Sequence, residues 1–135
     1  MKILGFYDMN FRNFEILLEE FKDLMINNWT YDPWVKQESL DSAIKNLQEE
    51  IEEFKAELDN EEAAANELGD IIWDVFNLMY VFSREKNLPI EKSLSEVINK
   101  MSARKPYVVE KRFVSLEEAR KIWLDVKRKE ENNQK

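Results

Sequence analysis

Apolar residues recur at helical spacing along most of the chain and predict five helices. The first three cover about residues 11–25, 40–58 and 61–84, where apolar positions return at steps of three and four. A fourth helix is expected over about 89–106, because proline suits the first turn of a helix and cannot continue one. The capping-box sequence that opens with Ser115 predicts the start of a fifth helix.

These helices indicate an all-α fold, a bundle of about five helices in one domain over residues 1–135, with a tail that frays from about 129. Two Gly and three Pro are too few for the turns of a many-stranded sheet protein. The third helix contains IIWDVFNLMYVF, which is apolar on most sides. Because a small bundle cannot cover such a helix alone, we expect a homodimer. We expect its aromatic residues in the core or the subunit interface: Trp73, Phe76, Tyr80 and Phe82.

Composition and charge exclude several classes of protein. The chain has no Cys and no His, which removes the usual zinc sites, disulfides and Cys or His nucleophiles. Residues 1–99 hold nine Lys or Arg against 22 Asp or Glu, while residues 100–135 hold eleven against six. The strong negative charge of residues 1–99 argues against a nucleic-acid partner. No stretch approaches the roughly 20 apolar residues of a membrane span, and residues 1–10 do not form a secretory signal. We therefore expect a cytoplasmic protein with no membrane partner.

Acidic residues on the second and third helices form a candidate metal site. If the chain reverses near Asn60, Glu50 lies level with Asp70. Glu53 likewise lies level with Glu67, so that four carboxylates converge between the two helices. Carboxylate oxygens are the ligands that Mg²⁺ and Mn²⁺ prefer, and crowded like charges call for a cation. The alternative is a solvated acidic face that holds no ion.

Basic and aromatic residues supply candidate substrate-binding groups. Lys100 and Arg104 stand four residues apart on the fourth helix, at the edge of its apolar stripe. Beside a Mg²⁺ site, such a pair favours a phosphate group as ligand. Trp34 belongs to an aromatic-rich linker over about 27–39 that either packs on the core or meets a ligand. Asp74 extends the acidic face, where a hydrogen bond or an ion pair is as consistent with its position as metal ligation.

The order of these motifs resembles the MazG family of all-α nucleoside triphosphate pyrophosphohydrolases. The matching segments run from the linker to the last helix: Pro33-Trp34, Gln37-Glu38-Ser39, LQEEIEE at 47–53, ELGDII at 67–72, Lys100 with Arg104, Pro106-Tyr107-Val108-Val109, and Trp123 with Lys127. The resemblance implies an oligomeric bundle, a homodimer or a dimer of dimers. It also implies hydrolysis of a (d)NTP to (d)NMP and pyrophosphate.

Roles for individual residues follow from this resemblance. It implies four ligands for Mg²⁺, or for Mn²⁺ in its place: Glu50, Glu53, Glu67 and Asp70. Metal-activated water would attack the α phosphorus, with Glu49 or Glu53 helping to remove its proton. Glu49 would otherwise be an outer ligand. Lys100 and Arg104 would hold the phosphates and offset charge on the leaving pyrophosphate. Trp34 would border the nucleotide pocket.

The chain departs from the family pattern at two places, and other functions stay open. Asp32-Pro33-Trp34-Val35 stands where members often have Cys-Pro-Trp-Asp, and Lys105 and Tyr107 replace two His that commonly flank the proline. Both differences bear on base preference more than on metal chemistry. The alternatives are a narrow dCTP, dUTP or phosphoribosyl-ATP pyrophosphohydrolase and a non-catalytic acidic helical interaction module. A carboxylate-bridged iron protein is disfavoured, because such bundles use Glu-x-x-His pairs.

Overall fold

The computed structural model describes residues 10–134 and is all-α over that span, which confirms the predicted fold class. Its described residues form seven helices and no strand. In chain order these are α1 (Arg12–Tyr31), α2 (Pro33–Lys36), α3 (Leu40–Ala56), α4 (Glu61–Lys86), α5 (Lys92–Arg104), α6 (Pro106–Val109) and α7 (Leu116–Asn133). The short helices α2 and α6, which apolar spacing does not predict, each begin at a proline.

The chain divides after Leu88 into two compact units, the first with α1 to α4 and the second with α5 to α7. The single domain expected over residues 1–135 stays a prediction, as does fraying from about 129, where α7 continues to Asn133. Positions 1–9 lie outside the described residues. The expected absence of a secretory signal rests on that segment and stays a prediction. No helix within residues 10–134 combines the length and the apolar character needed to cross a bilayer.

Helices α3 and α4 form an antiparallel hairpin in the first unit. Helix α3 begins after Ser39, whose hydroxyl accepts a hydrogen bond from the Ser42 backbone N–H at 3.1 Å. Helix α4 begins after Asn60, as predicted, and the Asn60 side chain accepts a hydrogen bond from the Ala63 backbone N–H at 3.1 Å. Only residues 57–60 separate the two helices. So short a connection makes residues at equal distances from the turn face each other.

Aromatic side chains pack α1 along α4. The Phe21 ring meets Trp73 and Phe76 edge-on, at centroid distances of 6.3 and 5.2 Å. Nearer the end of α1, the rings of Trp29 and Tyr80 stack at 5.7 Å with an interplanar angle of 11°. Such pairs stabilise a helix interface beyond the apolar area that they bury. Three of the aromatic residues expected in the core or interface therefore contact another helix of the same chain.

Helix α1 extends to Tyr31, whereas its apolar spacing predicts an end near Met25. The stack between α1 and α4 supports the additional turns. Asn28 adds a hydrogen bond from its side-chain amide to Asn77 Oδ1, at 3.0 Å. These contacts join residues about 50 positions apart, so the spacing of apolar residues within α1 carries no sign of them. Residues 27–31 of the predicted linker are consequently part of α1.

Arg84 of α4 holds the short helix α2 and the segment that follows it. Its guanidinium donates hydrogen bonds to three backbone carbonyl groups, those of Val35 at 3.1 Å, Lys36 at 2.9 Å and Glu38. A helix leaves its last carbonyls unpaired, and a positive charge is favourable there. At the other end of α2, Asp32 accepts a hydrogen bond from the Trp34 backbone N–H at 3.1 Å. Both ends of this single turn are thus fixed.

In the second unit, Arg104 joins α5 to α7. Its guanidinium bonds Glu130 at 2.9 Å and lies 4.8 Å from the centre of the Trp123 ring. Helix α7 begins after Ser115, whose hydroxyl accepts a hydrogen bond from the Glu118 backbone N–H at 3.1 Å. The predicted start of the last helix is confirmed.

We expect Arg84→Ala to lower the free energy of unfolding by roughly 2 kcal/mol, because three carbonyl groups lose a charged donor. Urea unfolding followed by circular dichroism measures the change. Arg128→Ala is the matched control, since the Arg128 side chain is 70% exposed and its ion pair with Asp125 spans 3.9 Å. The control should change stability by less than about 0.5 kcal/mol. Equal losses in the two variants would contradict the role assigned to Arg84.

Candidate functional site

Three carboxylates of α3 and α4 meet at one level of the hairpin. One side-chain oxygen from each of Glu50, Glu67 and Asp70 lies within 4.8 Å of the other two. Glu50 and Glu67 are half-buried and Asp70 is exposed, so the cluster opens to solvent on one side. The predicted convergence is confirmed for these three residues. Their role as metal ligands stays a prediction.

Burial and like charges raise the pKa values of Glu50 and Glu67. The pKa of Glu50 rises to about 7, first because burial disfavours its charge and then because Glu53, Glu67 and Asp70 lie close by. Burial also raises the pKa of Glu67, and the neighbouring charges of Glu53 and Asp70 add to this rise, whereas the proximity of Glu50 opposes it. The metal-free cluster therefore retains a proton near neutral pH. A cation would displace it.

Two oxygen atoms of the cluster have no hydrogen-bond donor among residues 10–134. Oε2 of Glu50 and Oε2 of Glu67 are buried and make no hydrogen bond within residues 10–134. A buried carboxylate oxygen without a partner is unfavourable, and a divalent cation supplies the partner that is missing. A donor set made only of oxygens suits Mg²⁺ or Mn²⁺. The residues present therefore fit the kind of ion that the sequence predicts.

Glu53 and Glu49 differ in their relation to the cluster. Glu53 is near enough to raise the pKa values of both Glu50 and Glu67, although it lies outside the group within 4.8 Å. Glu49 is exposed and its Oε1 lies 4.0 Å from Lys45 Nζ. Glu49 and Glu53 line the same shallow depression on the surface of α3. Both remain predicted catalytic groups, with Glu53 at the edge of the cluster.

The two predicted phosphate-binding residues lie on α5, in the second unit. Lys100 is exposed. Arg104 is largely buried, with its guanidinium bonded to Glu130 and placed over Trp123. The Arg104 guanidinium thus contacts α7 through both of these residues. The spacing of apolar residues did not indicate this contact. That Lys100 or Arg104 binds phosphate stays a prediction.

A cavity of about 250 Å³ lies within the first unit, one helical turn along α4 from the cluster. Its walls combine two tryptophans with five polar residues: Trp34, Trp73, Asp32, Glu38, Asn46, Asp74 and Asn77. Trp34, predicted to bind substrate, is 74% exposed at this cavity. Asp74 makes no hydrogen bond or ion pair with any residue of 10–134, although its position in the sequence allowed for either.

Sequence reasoning did not identify three of these polar residues as part of a site. Glu38 accepts hydrogen bonds from Ser42 Oγ at 2.9 Å and from the Asn46 side-chain amide at 2.8 Å. Asn77 follows Asp74 by three positions and Asp70 by seven, which places all three on one face of α4. That spacing is a signal that could have found Asn77. The register of the hairpin sets Asn46 level with Asp74, which is a signal for Asn46. Nothing in the spacing points to Glu38.

Comparison with known proteins places the chain in a family. The family model of the MazG nucleotide pyrophosphohydrolase domain matches residues 38–109, just over half of the chain. The match includes α3, α4 and α5, and with them every carboxylate of the cluster. The chain belongs to the MazG family of nucleotide pyrophosphohydrolases, as the motifs suggested.

A solved structure supports the same assignment. The crystal structure of a MazG-related protein from Thermotoga maritima matches this chain with a TM-score of 0.71 and 28% sequence identity. The match covers 82% of this chain and 98% of that one. No curated protein matches the chain. Fold and family are therefore shared with a solved relative.

The raised pKa of Glu50 predicts a pH-dependent stability. The folded-state pKa of about 7 lies above the ordinary value of 4.5, so the folded protein binds a proton that the unfolded chain has released. This contribution is fully present below about pH 4.5 and is lost as the pH rises through 7. In EDTA, Glu50→Gln should therefore lose several degrees less in Tm between pH 5 and pH 8 than the unsubstituted protein.

Differential scanning fluorimetry at both pH values measures this difference. Glu131→Gln, at an exposed position of α7, is the control and should follow the unsubstituted protein. Parallel behaviour of Glu50→Gln and the unsubstituted protein would show that the Glu50 carboxyl does not hold the proton.

Proposed function

We propose that this protein is a Mg²⁺-dependent pyrophosphohydrolase that converts a (d)NTP to (d)NMP and pyrophosphate. The observation that carries the proposal is a pair of buried oxygens, on Glu50 and Glu67, that have no hydrogen-bond partner within residues 10–134 and lie beside the carboxylate of Asp70. A buried acidic group on a folded hairpin is unfavourable without a cation. The chain belongs to a family of nucleotide pyrophosphohydrolases, and a divalent cation at this cluster would serve that reaction.

In this proposal the first unit holds the metal and positions water. Glu50, Glu67 and Asp70 supply oxygen ligands, and Glu53 completes the set from the edge of the cluster. When bound, Mg²⁺, or Mn²⁺ in its place, supplies charge neutralisation for the triphosphate and lowers the pKa of water. Glu53 or Glu49 accepts the proton of the water that attacks the α phosphorus.

The basic residues and the location complete the proposal. Lys100 and Arg104 are assigned to the phosphates on the strength of their positive charge and their match to the family pattern. Trp34 is assigned to the border of the nucleotide site, which its place at the cavity supports. The protein acts in the cytoplasm, without nucleic acid or membrane partners.

Pyrophosphate release from a panel of ribo- and deoxynucleoside triphosphates tests the activity. We expect turnover with Mg²⁺ or Mn²⁺, and a loss of roughly 100-fold or more in Asp70→Asn and in Glu53→Gln, because each removes a metal ligand or its neighbour. Glu131→Gln, a charge-matched change on α7, should keep full activity.

A second measurement separates metal binding from turnover. Mg²⁺ should raise the Tm of the unsubstituted protein and of Glu131→Gln, but have little effect on Asp70→Asn. Absence of pyrophosphate release from every nucleotide with either metal would contradict the proposal. Variants that gain stability without any change in turnover would favour the acidic interaction module instead.

We also propose that the protein is a homodimer, alone or as half of a dimer of dimers. The core of residues 10–134 is small, with five buried apolar residues: Met25, Val35, Ala43, Ala64 and Val81. Helix α1 meanwhile exposes large apolar side chains, among them Phe14 at 61% and Leu17 at 62%. Apolar surface of this extent is typical of a subunit interface. A second copy of the chain is the occupant that the apolar excess of the helices supports.

Light scattering at micromolar concentration tests this assembly. We expect at least twice the mass of one chain, and a shift toward the monomer in a Phe14→Ser, Leu17→Ser double variant, because it removes apolar area from α1. A Glu19→Ser, Glu20→Ser double variant changes two exposed polar residues of the same helix as a control. A monomer-sized species in the unsubstituted protein would overturn the proposal.

A further inference from the structure

The cavity near the carboxylate cluster has the size and walls of a site for a small heterocycle. It has a volume of about 250 Å³ and lies wholly within the first unit. Asp74 stands four residues after Asp70 on α4, which corresponds to a rise of about 6 Å along the helix. A ligand held by the cluster through its phosphates would therefore have its other end beside Asp74.

Two tryptophans provide flat apolar walls for this cavity. Trp73 is fixed from behind by the edge-on contact with Phe21 at 6.3 Å. Trp34 is fixed at its backbone by Asp32, while its side chain stays exposed at the cavity. Aromatic side chains stack on any nucleobase, because every base has a π-face. The walls thus favour a base without choosing among bases.

Hydrogen bonds inside the protein already occupy most of the polar groups at the cavity. Glu38 Oε1 accepts from Asn46 and from Ser42, and Asp32 accepts from the Trp34 backbone. The Asn77 oxygen accepts from Asn28, which leaves the Asn77 amide N–H groups as donors. The polar groups that stay unbonded therefore determine which donors and acceptors a ligand must present.

Asp74 differs from these residues because no donor among residues 10–134 bonds its carboxyl group. Its side chain lines the cavity, is half-buried, and makes no hydrogen bond or ion pair with any residue of 10–134. A carboxyl group keeps at least one acceptor oxygen in either protonation state. Beside it, Glu38 adds a second negative charge. This part of the wall therefore calls for a hydrogen-bond donor on the ligand.

We propose that this cavity receives the base of the nucleotide and that Asp74 selects bases carrying an exocyclic amino group, such as cytosine and adenine. The inference rests on the proposed function, whose substrate class it narrows. The amino group of cytosine donates to the Asp74 carboxylate, and the Asn77 amide is available to the acceptor atoms of the ring. Asp74 is a specificity-determining residue and takes no part in the displacement at phosphorus.

Uracil and hypoxanthine are the informative counterparts of cytosine and adenine. Each presents a carbonyl oxygen where its counterpart presents the amino group. A carbonyl oxygen placed against Asp74 leaves both acceptors unpaired and brings two partial negative charges together. Sites that bond a substrate group reject the analogue that lacks it, because their own polar atom loses its partner.

Turnover of two matched pairs tests the proposal, namely dCTP against dUTP and ATP against ITP. We expect kcat/KM to favour the amino-bearing member of each pair by about tenfold or more. Asp74→Asn should bring both ratios close to one, since an amide can donate to a carbonyl as well as accept from an amine. Asp59→Asn, the same change at an exposed turn position, should leave both ratios unaltered. The ratio cancels any effect of the lost charge on the metal site.

Binding of dCMP and dUMP without metal, followed by tryptophan fluorescence, separates this inference from the proposed activity. Tighter binding of dCMP that disappears in Asp74→Asn supports the role of Asp74 even if no nucleotide is hydrolysed. Hydrolysis with equal or higher kcat/KM for dUTP and ITP leaves the activity standing and overturns the inference. Absence of both turnover and preferential dCMP binding overturns it as well.

Discussion

The close approach of α3 and α4 is the constraint on which the site depends. The short connection and the Asn60 cap fix the register of the hairpin, and that register brings Glu50 against Glu67 and Asp70. These carboxylates repel one another and are partly removed from water, so they weaken the hairpin that carries them. A divalent cation reverses the sign of that interaction. The same contact therefore weakens the metal-free fold and is the basis of the chemistry proposed for this protein.

Different faces of α4 form part of the carboxylate cluster, line the cavity and pack against α1. Acidic and amide side chains recur along one face: Glu67, Asp70, Asp74 and Asn77. Aromatic side chains on the adjoining face meet α1 through Phe21 and Trp29. Near its end, Arg84 bonds carbonyls in the last turn of α2 and just after it, and so sets the position of Trp34 and Glu38. This explains why the sequence of α4 is apolar on most sides and still carries acids.

The sequence predicts those parts of the fold that depend on neighbouring residues. The existence of α3, α4 and α7, the Asn60 and Ser115 caps, and the convergence of three carboxylates all follow from spacing within or across one turn. The extension of α1 depends on Asn28 meeting Asn77, 49 positions away. The pairing of Arg104 with Glu130 is also distant in sequence. Periodicity within an element carries no information about such contacts, because it reports only which face is apolar.

The two parts of the candidate site consequently rest on different kinds of information. The carboxylate cluster needs only the local geometry of one hairpin, so spacing of the E-x-x-E and E-x-x-D type suffices to predict it. The cavity also needs the segment around α2, and that segment is held by long-range bonds from Arg84. It contains Asp32-Pro33-Trp34-Val35, where the chain departs from the family pattern. The metal chemistry proposed for the cluster and the base preference proposed for the cavity are therefore compatible, because separate contacts determine them.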